Sequence, residues 1–209
     1  ASVGDTGVVN GVTYTVVNRD MLFEMIANNE DVSKVATTKV TNMANLFYNN
    51  SSFNQPIGNW DVSNVTSMNG LFAGATSFNQ PIGDWYTRSC VNFGGMFYEA
   101  TSFNQPLPGY WLEKPLISGS DASDVPEISL NAMFMDATSF NQDISSWVVT
   151  NVYTMSLMFN GATSFNQPIG NWSLQGPQGL YDGTRNMSSM FYEATSFNQD
   201  LSSWDTSNI

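Results

Sequence analysis

From about residue 40 to the C-terminus the apolar positions recur in blocks, and within a block they follow two different spacings. In the most regular block Val65, Met68, Leu71, Phe72 and Ala75 fall at offsets 0, 3, 6, 7 and 10, the pattern of one helical face. Thr66, Asn69, Gly70 and Gly74, which lie between them, are poor helix formers. The spacing therefore predicts one or two short α or 3₁₀ turns. After Phe78 the run Asn79-Gln80-Pro81-Ile82-Gly83-Asp84-Trp85 is rich in turn residues, with Ile82 and Trp85 as the inward candidates. A short strand is predicted near Ile-x-x-Trp-x-Val, as at Ile57, Trp60 and Val62.

The block is a repeat. Ser-Phe-Asn-Gln occurs six times, with Phe at 53, 78, 103, 140, 165 and 197, so the unit is 25 residues long, lengthened by 12 in the third copy and by 7 in the fifth. Columns persist down the copies. Met43, Met68, Phe93, Leu130, Met155 and Met187 share one, and Phe47, Phe72, Phe97, Phe134, Phe159 and Phe191 a second. Trp60, Trp85, Trp147, Trp172 and Trp204 form a third, in which the third copy has Tyr110 with Trp111 just after it. A unit with one helical turn and one short strand cannot shelter its own apolar face, whereas stacked units share a continuous core. The prediction is a repeat solenoid of six coils, each advancing about 4.8 Å, with Phe, Trp, Met and Ile stacked on themselves along the axis.

The first residues break this pattern. Gly11 to Val17 alternates as a strand, and Asn18 to Ala27 reads as an amphipathic helix with Asn18 at the N-cap and Met21, Leu22, Met25 and Ile26 inward. Residues 1–37 are expected to form a strand-helix cap and residues 38–209 the solenoid. The chain stops at Ser207-Asn208-Ile209, where another unit would begin, and so is expected to be part of a longer protein.

Composition narrows the chemistry. Six Lys and Arg stand against 18 Asp and Glu, for a formal charge of −12, and the basic residues are scattered, which argues against a nucleic-acid partner. No apolar run approaches the ~20 residues that span a bilayer. With no His and a single Cys, there is no disulfide within the chain, no His-based triad and no His-rich metal site. Polarity is carried by amides and hydroxyls. The column Asn54, Asn79, Asn104, Asn141, Asn166 and Asn198, with Gln after each, is expected to be a structural ladder that satisfies backbone groups of the turns.

The unit Met-Phe-x-x-Ala-x-Ser-Phe-Asn-Gln-x-Ile-x-x-Trp-Asp-Val-Ser-Asn-Val-Thr-x-Met resembles the bacterial surface protein repeat, grouped with the BspA-like leucine-rich-repeat surface proteins, over roughly residues 40 to 209. The two insertions and the displaced Trp111 depart from it. The resemblance implies a leucine-rich-repeat-like solenoid, a place on the cell surface or outside the cell, and attachment to host proteins, other cells or surfaces. It brings no catalytic residues.

The insertions, at about 112–128 and 173–186, both follow the Trp position and precede the next Met position. Insertions at equivalent places emerge on one face of a solenoid. With Trp111 just ahead of the first, they bring Glu113, Lys114, Asp121, Asp124, Tyr181, Asp182 and Arg185. Aromatic and Arg side chains are the usual interface anchors. This points to a non-enzymatic recognition or adhesion module for an extracellular protein or glycan. A spacer or stalk is the alternative. An ice-binding Thr column (Thr76, Thr101, Thr138, Thr163, Thr195) or a polysaccharide-acting solenoid stands behind both, the latter because Glu99, Asp136 and Glu193 share a column. Asp121, Asp124 and Glu127 offer oxygen ligands at short spacing for Ca²⁺, without an EF-hand-like order, and no other cofactor is expected. Cys90 is read as replacing the Asn64-type turn residue.

Overall fold

The computed structural model describes residues 1–114, 126–175 and 185–209. Asn10 and Gly11 both take positive φ, +50° and +79°, as a two-residue type I′ turn requires. They reverse the chain between β1 (Thr6–Val9) and β2 (Val12–Val16), which pair antiparallel. Helix α1 (Arg19–Ala27) starts where the Asn18 side chain accepts from the Met21 amide at 2.9 Å. Its buried face carries Leu22 and Ile26, with Met21 and Met25 partly covered. The strand β3 (Val35–Ala36) then runs parallel to β2, and Arg19 donates to the Ala44 carbonyl at 2.7 Å, tying the helix to the first repeat unit.

Within each unit, the segment from the Met column onward is a train of overlapping β-turns. Leu71, Ala73 and Ala75 donate back to Met68, Gly70 and Phe72. The alternate residues Met68, Gly70, Phe72 and Gly74 donate across to Asn92, Gly94, Met96 and Tyr98 of the next unit, at 2.7–2.9 Å. The same four bonds recur at each junction from Met43 to Gly161. The cause lies at Gly70 and Gly74, whose φ of +60° and +71° is shared by Asn45 and Asn49 in the unit before and Gly95 and Glu99 in the unit after. Left-handed residues four apart interrupt any i→i−4 ladder and turn alternate N–H groups along the stack. The apolar face anticipated from a helix is therefore formed by another backbone: Val65, Met68, Leu71, Phe72 and Ala75 are all buried.

Strand-like pairing also falls elsewhere than Ile57 to Val62. Parallel bridges link Asn42, Ser67, Asn92 and Ser129, just ahead of the Met column. There β4 (Ile128–Ser129) pairs with β5 (Val152–Thr154), and Thr154 bridges to Asn186. Ile57 to Trp60 instead closes a turn, with the Trp60 amide donating to the Ile57 carbonyl at 3.1 Å. Pro56 and Pro81 ahead of this run have no N–H to give a ladder.

Side-by-side packing of the units builds three aromatic columns. The two Phe rings of one unit stack at 3.8–4.2 Å. Successive units place Phe72 5.4 Å from Phe47 and 5.7 Å from Phe97, and Trp85 6.3 Å from Trp60, with planes within 14°. These are offset stacks, the favoured arrangement for quadrupolar rings. Each indole N–H is also satisfied: Trp85, Trp172 and Trp204 donate to the carbonyls of Ile57, Ile144 and Ile169 at 3.1 Å. Close approach is enforced on the turn side, where a Cβ at Gly58 would stand 2.6 Å from the Pro81 carbonyl oxygen.

The amides form a ladder. The Asn54 side-chain oxygen accepts both the Asn79 backbone N–H and the Gln80 amide at 3.0 Å, and the pattern continues to Asn166, which accepts from Asn198 and Gln199 at 2.9 Å. Thr76 and Thr101 turn their hydroxyls to the carbonyls of Ser51 and Thr76 in the preceding units.

Candidate functional site

Trp111 is not a surface anchor. A short 3₁₀ helix (Gly109–Leu112) absorbs the extra residue of the third unit and returns Trp111 to the tryptophan column, fully buried and 6.5 Å from Trp85 with planes 5° apart. Its indole N–H donates to the Gly83 carbonyl at 3.1 Å, which the Tyr110 hydroxyl also reaches at 2.6 Å. Arg185 is likewise inward, 5% exposed, donating to the carbonyls of Val149, at 2.8 Å, and Thr150. Both residues are recruited by the stack because it offers them ring faces or carbonyls that water would otherwise have to satisfy. Glu113 is exposed and faces Arg88 at 3.4 Å, a surface pair of small energetic weight. Asp121, Asp124, Tyr181 and Asp182 lie outside the described residues.

Lys114 is largely enclosed. Its ammonium donates to the carbonyls of Thr87, at 3.2 Å, and Cys90, and lies 5.5 Å from the Phe93 ring centroid. Thr87 and Val149 stand at the same position, two residues after Trp85 and Trp147. In regular units the carbonyls of this turn are met by side chains of the following unit: Asn64 donates to Thr38 at 3.1 Å and Ser89 to Ser63 at 2.6 Å. Where an insertion replaces the regular connection, a cation binds this turn: Arg185, at the end of the second, takes the Thr150 carbonyl, the counterpart of Thr38 and Ser63, and Lys114, at the start of the first, takes the neighbouring carbonyls of Thr87 and Cys90.

Cys90 corrects a reading of the sequence. The 25-residue offset from Val65 puts it in the column of Val40, Val65 and Val152, and it is fully buried. Burial pushes its thiol up to about 12, against the opposing pull of Lys114, while burial pushes the Lys114 ammonium down to about 8. The two act on stability with opposite sign. The folded state keeps the Cys90 proton after the unfolded chain has lost it, so stability falls as pH rises from about 9 toward 12. Lys114 gives up its proton earlier when folded, so its contribution rises with pH from about 8 toward its unfolded value. Cys90→Val, which restores the column residue, is expected to be near neutral at pH 7. Above pH 9 it should gain on the native chain by up to about 1.4 kcal/mol per pH unit. Urea unfolding between pH 7 and 10 measures this, and parallel curves for the two proteins would refute it.

A second surface lies on the train of turns. Tyr48, Ala73, Tyr98 and Met135 occupy the place after the Phe column in four successive units, and with Asn69 and Asn131 they line a groove of about 340 Å³. The floor is low because Gly70, Ala73 and Gly95 are small. Tyr48 is 56% exposed. Asn69 is held by a bond to the Gly94 carbonyl at 2.8 Å, and Asn131 accepts from the Ser156 hydroxyl. The acidic Glu99 beside it pushes the Tyr98 hydroxyl up to about 12. Asp136 is also held above the usual carboxylate range, first by burial and then by the charges of Glu99 and Glu193 of the same column. No carboxylate lines the groove. These residues were missed in the sequence, although Phe-Tyr at 47–48, 97–98 and 191–192 carries the signal: an aromatic residue directly after an inward ring has to face outward.

Among the described residues no helix is long and apolar enough to cross a membrane, and no group of three or more carboxylate or thiol side chains is placed to hold a metal ion. No curated protein and no solved structure matches the chain. The family model described as a Mycoplasma protein of unknown function, DUF285, matches residues 18–117, 111–182 and 181–209 in succession, as a repeat family does, and the chain belongs to that family.

Proposed function

We propose that this chain is a leucine-rich-repeat-like solenoid of the kind found in BspA-like surface proteins, acting without catalysis as an extracellular recognition or adhesion module. Its insertions hold a protein or glycan partner. The observation that carries this reading is the clamping of both insertions. Each has one end pinned by a cation to the corresponding turn of the preceding unit, Lys114 on Thr87 and Cys90, Arg185 on Val149 and Thr150. A loop that is only a tolerated length variant needs no fixed base, whereas a binding loop gains from a rigid platform. The ladder of Asn54 to Asn198 with its Gln neighbours, and the Trp column, are meanwhile engaged within the stack, which favours the insertions as the partner-binding surface.

Replacing residues 112–128 and 173–185 by the regular connection 86–91 tests the proposal. The variant is expected to unfold cooperatively with a native circular dichroism spectrum and to lose the binding seen for the native chain on arrays of glycans and extracellular matrix proteins. Undiminished binding would place the site elsewhere. The unbroken backbone ladder also suits a spacer, for which native and variant chains behave alike on every array.

A further inference from the structure

We infer that the groove between Tyr48 and Tyr98 is a binding site for an uncharged oligosaccharide, separate from the insertions. The two tyrosines lie two units apart, roughly 10 Å along the stack at strand spacing. A ring in van der Waals contact with a side chain on each of its faces needs about 4 Å on either side, so the spacing of the two tyrosine positions matches one sugar ring above Ala73. The apolar faces of that ring meet the tyrosines, and its hydroxyls meet the Asn69 side-chain oxygen, an acceptor whose nitrogen is held by Gly94, and the Asn131 side-chain nitrogen, a donor whose oxygen is held by Ser156.

The alternatives fit less well. A peptide adding as a strand needs free backbone groups, but the N–H groups of Met68, Gly70, Phe72 and Gly74 are all bonded to the next unit. An anionic ligand would meet no cation in the lining and would lie beside Glu99 and Asp136, the chain neighbours of Tyr98 and Met135.

The test is calorimetric titration of the full chain with cellohexaose, chitohexaose and maltohexaose, with a heparin hexasaccharide as the anionic comparison. At least one neutral hexasaccharide is expected to bind, and heparin is not. Tyr48→Ala and Tyr98→Ala should each weaken binding by about tenfold, the loss of one stacking contact. Tyr153→Ala, an exposed tyrosine outside the groove, should bind as the native chain does. Urea midpoints of the variants show whether each is folded, and the double variant Tyr48→Phe/Tyr98→Phe, which keeps both rings, is expected to retain binding. The inference is overturned if none of the neutral hexasaccharides binds, if heparin binds more tightly, or if the alanine variants bind as the native chain does. The chain with both insertions replaced distinguishes the two sites. Neutral-sugar binding retained there supports the groove, and binding lost there but kept in the tyrosine variants assigns it to the loops and overturns the groove.

Discussion

Trp85→Ala is expected to lower the free energy of unfolding by about 3–5 kcal/mol, the range for deleting a fully buried large aromatic side chain. Trp85 is 1% exposed, lies 6.3 Å from Trp60 and 6.5 Å from Trp111, and rests against Phe72 at 6.3 Å. Its removal empties a space bounded by three consecutive units and leaves the Ile57 carbonyl without its indole donor. In a stack where each unit touches only its neighbours, stability is approximately a sum of unit and interface terms. Damage at Trp85 therefore weakens two interfaces at once. Trp204→Ala, which removes a half-buried ring stacked on Trp172, should cost clearly less. Equilibrium urea unfolding followed by circular dichroism and by fluorescence compares them. Equal losses would contradict a continuous column, and non-coincident probes for Trp85→Ala would show the two halves unfolding separately.

The second large effect concerns polarity inside the ladder. Asn104→Leu is expected to cost about 1–3 kcal/mol, because it keeps the side-chain volume while stranding the Asn141 backbone N–H, which the Asn104 side-chain oxygen accepts at 3.0 Å, and leaves the Gln142 amide only the Asn104 backbone carbonyl at 3.1 Å. Asn104→Asp preserves an acceptor for both donors and should recover most of the loss at pH 7. The recovery should vanish as pH falls and the carboxyl protonates, since the stability that a hydrogen-bonded carboxylate adds is present above its unfolded pKa and lost below its folded one. Denaturant midpoints at pH 7 and pH 3 provide the measurement. If the leucine and aspartate variants coincide at pH 7, the amide column contributes volume and not hydrogen bonds.

Much of the core could be read from residue order. The Met, Phe and Trp columns, the ladder of Asn and Gln and the Asn18 cap follow from spacing and side-chain type, because a residue repeated every 25 positions in a stack must meet its own copies. Cys90 was legible too: subtracting 25 gives Val65, a buried column. Other features were hidden for a physical reason. Helical spacing at Val65 to Ala75 arises equally from a train of turns with left-handed residues, and apolar period alone cannot distinguish the two when both bury the same side chains. Trp111 and Arg185 read as interface anchors because they sit in irregular segments. Only the neighbouring unit shows that a ring face awaits the first and a pair of carbonyls the second.

Residue order by itself thus set the repetition, the unit length and the identity of the buried columns, since these depend on covalent spacing and on which side chains avoid water. The tertiary structure decided the path of the backbone, the inward fate of Trp111, Lys114 and Arg185, and the groove at Tyr48 and Tyr98. Each of these depends on what an adjacent unit, 24 or more residues away along the chain, places opposite a given N–H, carbonyl or ring.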